Sequence, residues 1–416
     1  MRALIIALFV CTLGFGSALA DSCDERDASE NNPNADIRIE LNTQCLKDRS
    51  DNQSQASSYV RRAIAYSDKG DDDRAIADFT KAIALNPKFI NAYYDRGLVY
   101  ISKGDYDRAI ADLNQAIGLD PNDAISYSNR GAAYSGKGDY DRAIADLNQA
   151  IALNPNYAET YNNRGNAYAH KQECDRAIPD YTKAIALNSN FAGAYNNRGR
   201  AYYDKGDYDR AIADLNQAIV LDPKLATAYY NRGVTYGHKG DYGHAIADYN
   251  QAIALAPNDA RTYDSEAWLL ATCPDAKYRN GVEAVRLASK AIQLEDNWLH
   301  RQSLAAAKAE TGQFEEAAKE QQKVIEMAKA ANVPAVVLAR LHEQLDLYWV
   351  GIPYHEENVT PAAQLSDKLD PPVGLGEMGH TRAIAAAGEW QCASFTATSA
   401  ISALCLNGAS LQGVKR

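Results

Sequence analysis

The sequence predicts an all-α solenoid of stacked helical hairpins. Three observations carry this: a 34-residue period, small residues at fixed places within it, and a proline closing most units. The period runs six times between Ala56 and Pro257. Glycine recurs at Gly97, Gly131, Gly165, Gly199 and Gly233, each followed three residues later by Tyr100, Tyr134, Tyr168, Tyr202 and Tyr236. On a helix that spacing puts both residues on one face. Alanine follows each glycine at Ala109, Ala143, Ala177, Ala211 and Ala245, and the closing prolines are Pro87, Pro121, Pro155, Pro223 and Pro257.

The unit Ile90 to Asp123 shows how the period becomes structure. Its first half carries Tyr93, Gly97 and Tyr100 at helical spacing, and its second half carries Ala109, Ile110, Leu113, Ala116 and Ile117. Between them Lys103-Gly104-Asp105 supplies a glycine for the left-handed stop of the first helix and an aspartate to cap the second. Gly97 and Ala109 lack bulk, so the paired helices can approach closely. Pro121 cannot continue the helix behind it and so separates one unit from the next. One such hairpin cannot bury its apolar faces alone, so neighbouring units must stack.

This pattern resembles the tetratricopeptide repeat over about half of the chain. The resemblance implies a right-handed α-solenoid whose first helices line a concave groove, a protein or peptide partner, and no cofactor and no catalysis. Relatives of this family use asparagines in the column of Asn129, Asn163, Asn197 and Asn231 to hold an extended peptide. An amide suits that task because it both donates and accepts. Asn166 and Arg200, three places after Asn163 and Asn197, belong to the same surface. The candidate peptide-binding set is therefore Asn129, Asn163, Asn166, Asn197, Arg200 and Asn231, with Tyr94, Tyr203 and Tyr230 expected to add exposed apolar area. Asn166 and Asn197 match the asparagine pair of the family's carboxylate clamp, but Asn162 and Thr227 stand where that clamp needs lysines.

A second column reads as structure. Arg62, Arg96, Arg130, Arg164, Arg198 and Arg232 are each followed sixteen residues later by Asp78, Asp112, Asp146, Asp180, Asp214 and Asp248. This co-occurrence favours ion pairs within each unit over a ladder of free cations for an anionic ligand.

The flanks complete the domain plan. Residues 1–20 read as a secretory signal, with Met1-Arg2 ahead of an apolar run and Ala18-Leu19-Ala20 as a cleavage site. Val10 ahead of Cys11 argues against a lipid anchor. A periplasmic or secreted location follows as an expectation, and oxidising conditions with it. Residues 21–55 form an N-terminal cap in which Cys23 and Cys45 are a candidate disulfide. The six regular repeats span 56–259. A seventh, with its turn lengthened by residues 272–281, spans 260–297, and a degenerate eighth spans 298–331. A capping helix covers the end at 334–355, and the aperiodic tail 356–416 is expected to be poorly ordered. Cys174 and Cys273 read as separate buried thiols, and Cys392 and Cys405 as a second candidate pair.

Net charge is −11, which argues against nucleic acid or an anionic membrane as the main partner. After the leader no run of eighteen apolar residues appears, so no membrane span is expected. Catalytic and metal signatures are weak. Gly374 to Gly379 fits a dinucleotide pattern without a strand before it, His342-Glu343 lacks a second histidine, and His170 and His238 lie two repeats apart. The favoured reading is a non-catalytic interaction scaffold of a bacterial cell envelope. The other is a spacer or accessory subunit of an envelope assembly that handles polymers, binding through its convex face or tail.

Overall fold

The computed structural model describes residues 34–356, which form eighteen α-helices and one short 3-10 turn, with no strand among the described residues. The chain divides after Pro155 into two compact bodies. The first holds α1 (Ala35–Asp48), α2 (Asn52–Asp68), α3 (Asp72–Leu85), α4 (Ile90–Ser102), α5 (Tyr106–Leu119), α6 (Ala124–Gly136) and α7 (Tyr140–Leu153). The second holds α8 (Ala158–His170), α9 (Cys174–Leu187), α10 (Ala192–Asp204), α11 (Tyr208–Leu221), α12 (Ala226–His238), α13 (Tyr242–Leu255), α14 (Ala260–Thr272), α15 (Gly281–Leu294), α16 (Trp298–Glu310), α17 (Phe314–Ala330) and α18 (Ala335–Trp349). Within each body, consecutive helices pack against one another.

Each repeat turn is built from the same three devices. Gly104 adopts φ +73°, a left-handed conformation that glycine takes without steric cost. Asp105 then caps α5 by accepting from the Arg108 backbone N–H and also binds the Arg108 guanidinium. That guanidinium lies 4.5 Å from the centre of the Tyr100 ring, so the cap and the last turn of α4 are joined. Asp139, Arg142 and Tyr134 repeat the arrangement, as do Asp207, Arg210 and Tyr202. In the fourth repeat Gln172 occupies the left-handed position at φ +63°, and Glu173 makes no side-chain cap, yet Arg176 still covers Tyr168. Helix α9 runs unbroken through Pro179.

Close approach between paired helices explains the invariant spacing of glycine within the repeats. A methyl group on Gly131 would stand 2.7 Å from Leu147 Cγ, well inside contact distance, and Leu147 is fully buried. The buried core follows the stack, with alanines packed around large residues such as Phe79, Leu113 and Leu215 of second helices, and the largest cluster runs from Tyr203 to Ala307.

One boundary and one assignment differ from the sequence reading. The first regular hairpin starts at Asn52, not Ala56, because the Asp51 carboxylate accepts from the Ser54 N–H and starts the helix four residues early. Cys45 and Cys174 are both disulfide-bonded. For Cys174 this corrects the expected free thiol: repeat alignment places the residue at the first position of α9, but pairing depends on distance through space, which alignment does not carry. Cys273 is a free buried thiol. Cys23, Cys392, Cys405, the leader 1–20 and all of the tail after Glu356 lie outside the described residues.

The lengthened seventh turn is an ordered feature. A 3-10 turn at Ala276–Tyr278 fills it, and the Arg279 guanidinium donates to the backbone carbonyls of Cys273 and Pro274. Past α17, helix α18 closes the solenoid through a buried amide chain in which Gln302 and Gln321 both donate to Gln344 Oε1.

Candidate interaction face

The arginine column is a set of bidentate buried ion pairs. Nε and Nη2 of Arg62, Arg96, Arg130, Arg164, Arg198 and Arg232 grip both carboxylate oxygens of Asp78, Asp112, Asp146, Asp180, Asp214 and Asp248 at 2.6–2.9 Å. The aspartate side chains are 5–11% exposed. The third arginine nitrogen reaches back to the preceding helix: Arg62 to Thr43, Arg96 to Thr80, Arg130 to Asn114, Arg198 to Thr182 and Arg232 to Asn216. One guanidinium thus ties together three helices, and its ring of carboxylate, hydroxyl or amide partners leaves little to offer a ligand.

The asparagine column is a ladder that links first helices of successive repeats. In the first body, Asn129 Nδ2 donates to Tyr94 Oη on the preceding first helix and to Ile125 O on its own. In the second body the links join end to end. Asn197 Nδ2 donates to Asn162 Oδ1 and Asn166 Oδ1, Asn196 donates to Asn197, and Asn231 donates to Asn196. Tyr181 Oη also donates to Asn166 Oδ1. Five amides on α8, α10 and α12 therefore form one connected chain. The Asn163 side chain makes no hydrogen bond among the described residues and stands outside that chain. Sequence reading missed Asn162 and Asn196, although both lie one place before the column it selected.

Beside the amides sits a buried charged pair. Arg200 Nε donates to Asp204 Oδ1 at 2.8 Å, and the guanidinium lies over the Tyr203 ring. Burial raises the Asp204 carboxyl above its ordinary value, with Arg200 opposing that shift. His170 and His238 occupy the Asp204 column in the repeats before and after it. Burial pushes each imidazole down to about 4, and for His238 the nearby Arg200 charge adds to the effect. His238 packs edge-on against the Tyr203 ring and tilted against that of Tyr208. Tyr203 and Tyr230, expected to be exposed, are buried, with only 8% and 3% of their surface exposed. They are wall, not free contact area, because a first helix here is flanked on both sides by other first helices.

The regular chemistry stops at the seventh repeat. Glu266 takes the arginine position, and its aspartate counterpart in α15 is replaced by Leu287. Asn250 adapts by turning its amide. Where Asn216 accepts from Arg232, Asn250 Nδ2 donates to Glu266 Oε1. Glu266 Oε2 is buried without a hydrogen-bond partner, and desolvation, with Glu283 adding to it, raises the carboxyl to about 7. On the next first helix His300 Nδ1 lies 3.3 Å from Asp264 Oδ1, both side chains almost fully buried. The signal for Glu266 was visible in the sequence, as an acid interrupting a column of six arginines.

A stack of hairpins with these columns defines a tetratricopeptide-repeat protein. Models of the TPR repeat match residues 64–103, 97–138, 136–172, 165–206 and 199–240, and the tetratricopeptide repeat model matches 226–259; the chain belongs to this family. Among solved structures it is similar to MamA, at 30% identity over 41% of this chain and 94% of that one, with a TM-score of 0.35. It is also similar to the APC/C hetero-tetramer Cut9–Hcn1, at 22% identity over 67% and 48%, TM-score 0.50. A third is YrrB, described as a TPR protein with an unusual peptide-binding site, at 27% identity over 43% and 92%, TM-score 0.34. No curated protein matches the sequence. No described helix is long and apolar enough to cross a membrane.

Proposed function

We propose that this chain is a non-catalytic interaction scaffold of a bacterial cell envelope, and that the first-helix face of α8, α10 and α12 binds an extended peptide or partner segment. The observation that carries the reading is the connected chain of Asn162, Asn166, Asn197, Asn196 and Asn231 across three successive repeats. Each internal bond uses part of an amide, and an amide has two donors and two acceptor sites. What remains suits the repeating donor and acceptor groups of an extended backbone. The spare capacity is fixed in place by the internal bonds, so a ligand binds without ordering those side chains first.

The envelope assignment rests on the leader-like residues 1–20 and on disulfides at Cys45 and Cys174, since disulfides persist in oxidising compartments. Panning a random-peptide display library against the full chain tests the binding face. Extended sequences should be enriched on the natural chain and lost when Asn166 and Asn231 are both replaced by alanine, with helical circular dichroism unchanged. Equal enrichment on both would overturn the reading. Fusion of residues 1–55 to a reporter active only after export tests the location, and a silent reporter would remove it.

A further inference from the structure

The seventh and eighth repeats carry a second seat that is already filled by the chain itself. After α18, Gly351 turns the chain at φ +75°, and where another second helix would begin, residues 352–355 return to α14 without regular secondary structure and bring Glu356 to it. The Trp268 indole N–H donates to Glu356 Oε1 at 3.1 Å across 88 residues of sequence. Tyr354 is 8% exposed and packs 5.8 Å from the Trp268 ring, among Ala305, Ala309 and Tyr348. Between these two contacts His355 Nε2 meets Glu310 Oε2 at 2.7 Å, and Arg279 holds the other oxygen of Glu310 at 3.0 Å.

Each part of the seat comes from a departure from the regular repeat. Trp268 stands in the column that holds Asn166 and Arg200, so it lies on the same first-helix face as the asparagine chain. Arg279 comes from the lengthened turn, which the other repeats lack. Its guanidinium is itself anchored on two backbone carbonyls, so Glu310 is held from behind. An end cap needs only apolar cover, and α18 supplies that through Val337 and Leu341 against Val324, Ile325 and Ala328 of α17. The strap adds an aromatic ring, an imidazole and a carboxylate, each matched to one group of the seat.

We infer that the seat formed by Trp268, Glu310 and Arg279 is a binding site for a chain segment bearing an aromatic residue with a carboxylate two places later, occupied in cis by Tyr354–Glu356. The seat is separate from the asparagine chain and stands or falls independently of the function proposed above. A short tether holds its own segment at an effective concentration on the order of millimolar, so a free peptide enters the natural chain poorly.

The test uses the full chain with Tyr354→Ala and Glu356→Ala, and a dye-labelled peptide of Gly351 to Glu356 followed by fluorescence polarisation. The peptide should saturate the variant at a concentration at least tenfold below that needed for the natural chain. Adding Trp268→Phe should abolish the gain. Equal titration of natural and variant chains, no saturation of a variant whose melting is unchanged, or binding that survives Trp268→Phe would each overturn the proposal. If melting shows the double variant unfolded, Glu356→Ala alone is read by the same titration and the same outcomes. Asn166→Ala with Asn231→Ala in the variant background leaves the titration unchanged, which separates this site from the asparagine face.

Discussion

Repeats one to six and the seventh repeat solve one packing problem in opposite ways. In the regular repeats every buried carboxylate of the second helix is gripped by an arginine of the first. In the seventh, the arginine has become Glu266, its counterpart is apolar, and a single amide of Asn250 is its hydrogen-bond partner. The lesson is that a solenoid tolerates local exchange of chemistry, because each repeat contacts only its neighbours and no central core transmits the change. The cost is local as well. A paired charge contributes when both partners are present, whereas an unpaired one is retained by shifting its pKa.

The largest effect should come from breaking a regular pair. Asp214→Ala leaves Arg198 buried without its carboxylate and should cost about 3–5 kcal/mol. Amide exchange in α10 and α11, which reads local opening, should accelerate accordingly, and an unchanged rate would remove the ion-pair column from the account of stability.

The same comparison sharpens with pH, because the two histidines of the regular repeats and Glu266 of the seventh carry shifts of opposite sense. His170 and His238 sit near 4 in the fold against an ordinary 6.5, so the unfolded chain binds more protons between those values. Stability of the regular repeats in the second body should fall as pH drops from 6.5 towards 4, by roughly 1 kcal/mol per histidine for each pH unit. Glu266 is raised from 4.5 to about 7, so here the folded chain binds more protons, and stability should fall as pH rises from 4.5 to 7. Glu266→Gln should abolish the second trend in exchange-detected opening of α14 and α15 and leave the first intact in opening of α8 and α12. Parallel trends in both regions would contradict the assignment.

Smaller effects test the backbone. Gly131→Ala drives a methyl against Leu147 and the Ala143 carbonyl and should cost roughly 1–3 kcal/mol, read from urea-induced loss of helicity. Gln172→Gly should stabilise the fourth repeat by about 1 kcal/mol, since it relieves a left-handed side-chain residue that every neighbouring repeat avoids. A destabilised Gln172→Gly variant would mean that the glutamine side chain contributes more than the backbone strain removes.

Much of this was legible without coordinates. The period, the turn glycines and the arginine–aspartate columns are local or regularly spaced, so the positions that meet in space are those that recur at a fixed interval in sequence. The candidate binding set was legible only in part. In the second body Asn166, Asn197, Arg200 and Asn231 lie on the linked first-helix face, and in the first Asn129 makes its own link to Tyr94, but Asn163 stands apart from the hydrogen-bonded chain, and Tyr203 and Tyr230 are buried between neighbouring first helices. Exposure depends on how closely the first helices of successive repeats pack, which is set by side-chain volume across an interface and not by any one repeat.

The sequence by itself determined the hairpins, their order and the pairing of charges within each regular repeat, because those follow from helical spacing and from one period. Only the tertiary structure decided that the asparagines satisfy one another, that Cys174 is oxidised, and that Ile352–Glu356 returns to Trp268. These contacts join residues with no periodic relation, and their distance along the chain says nothing of their distance in space.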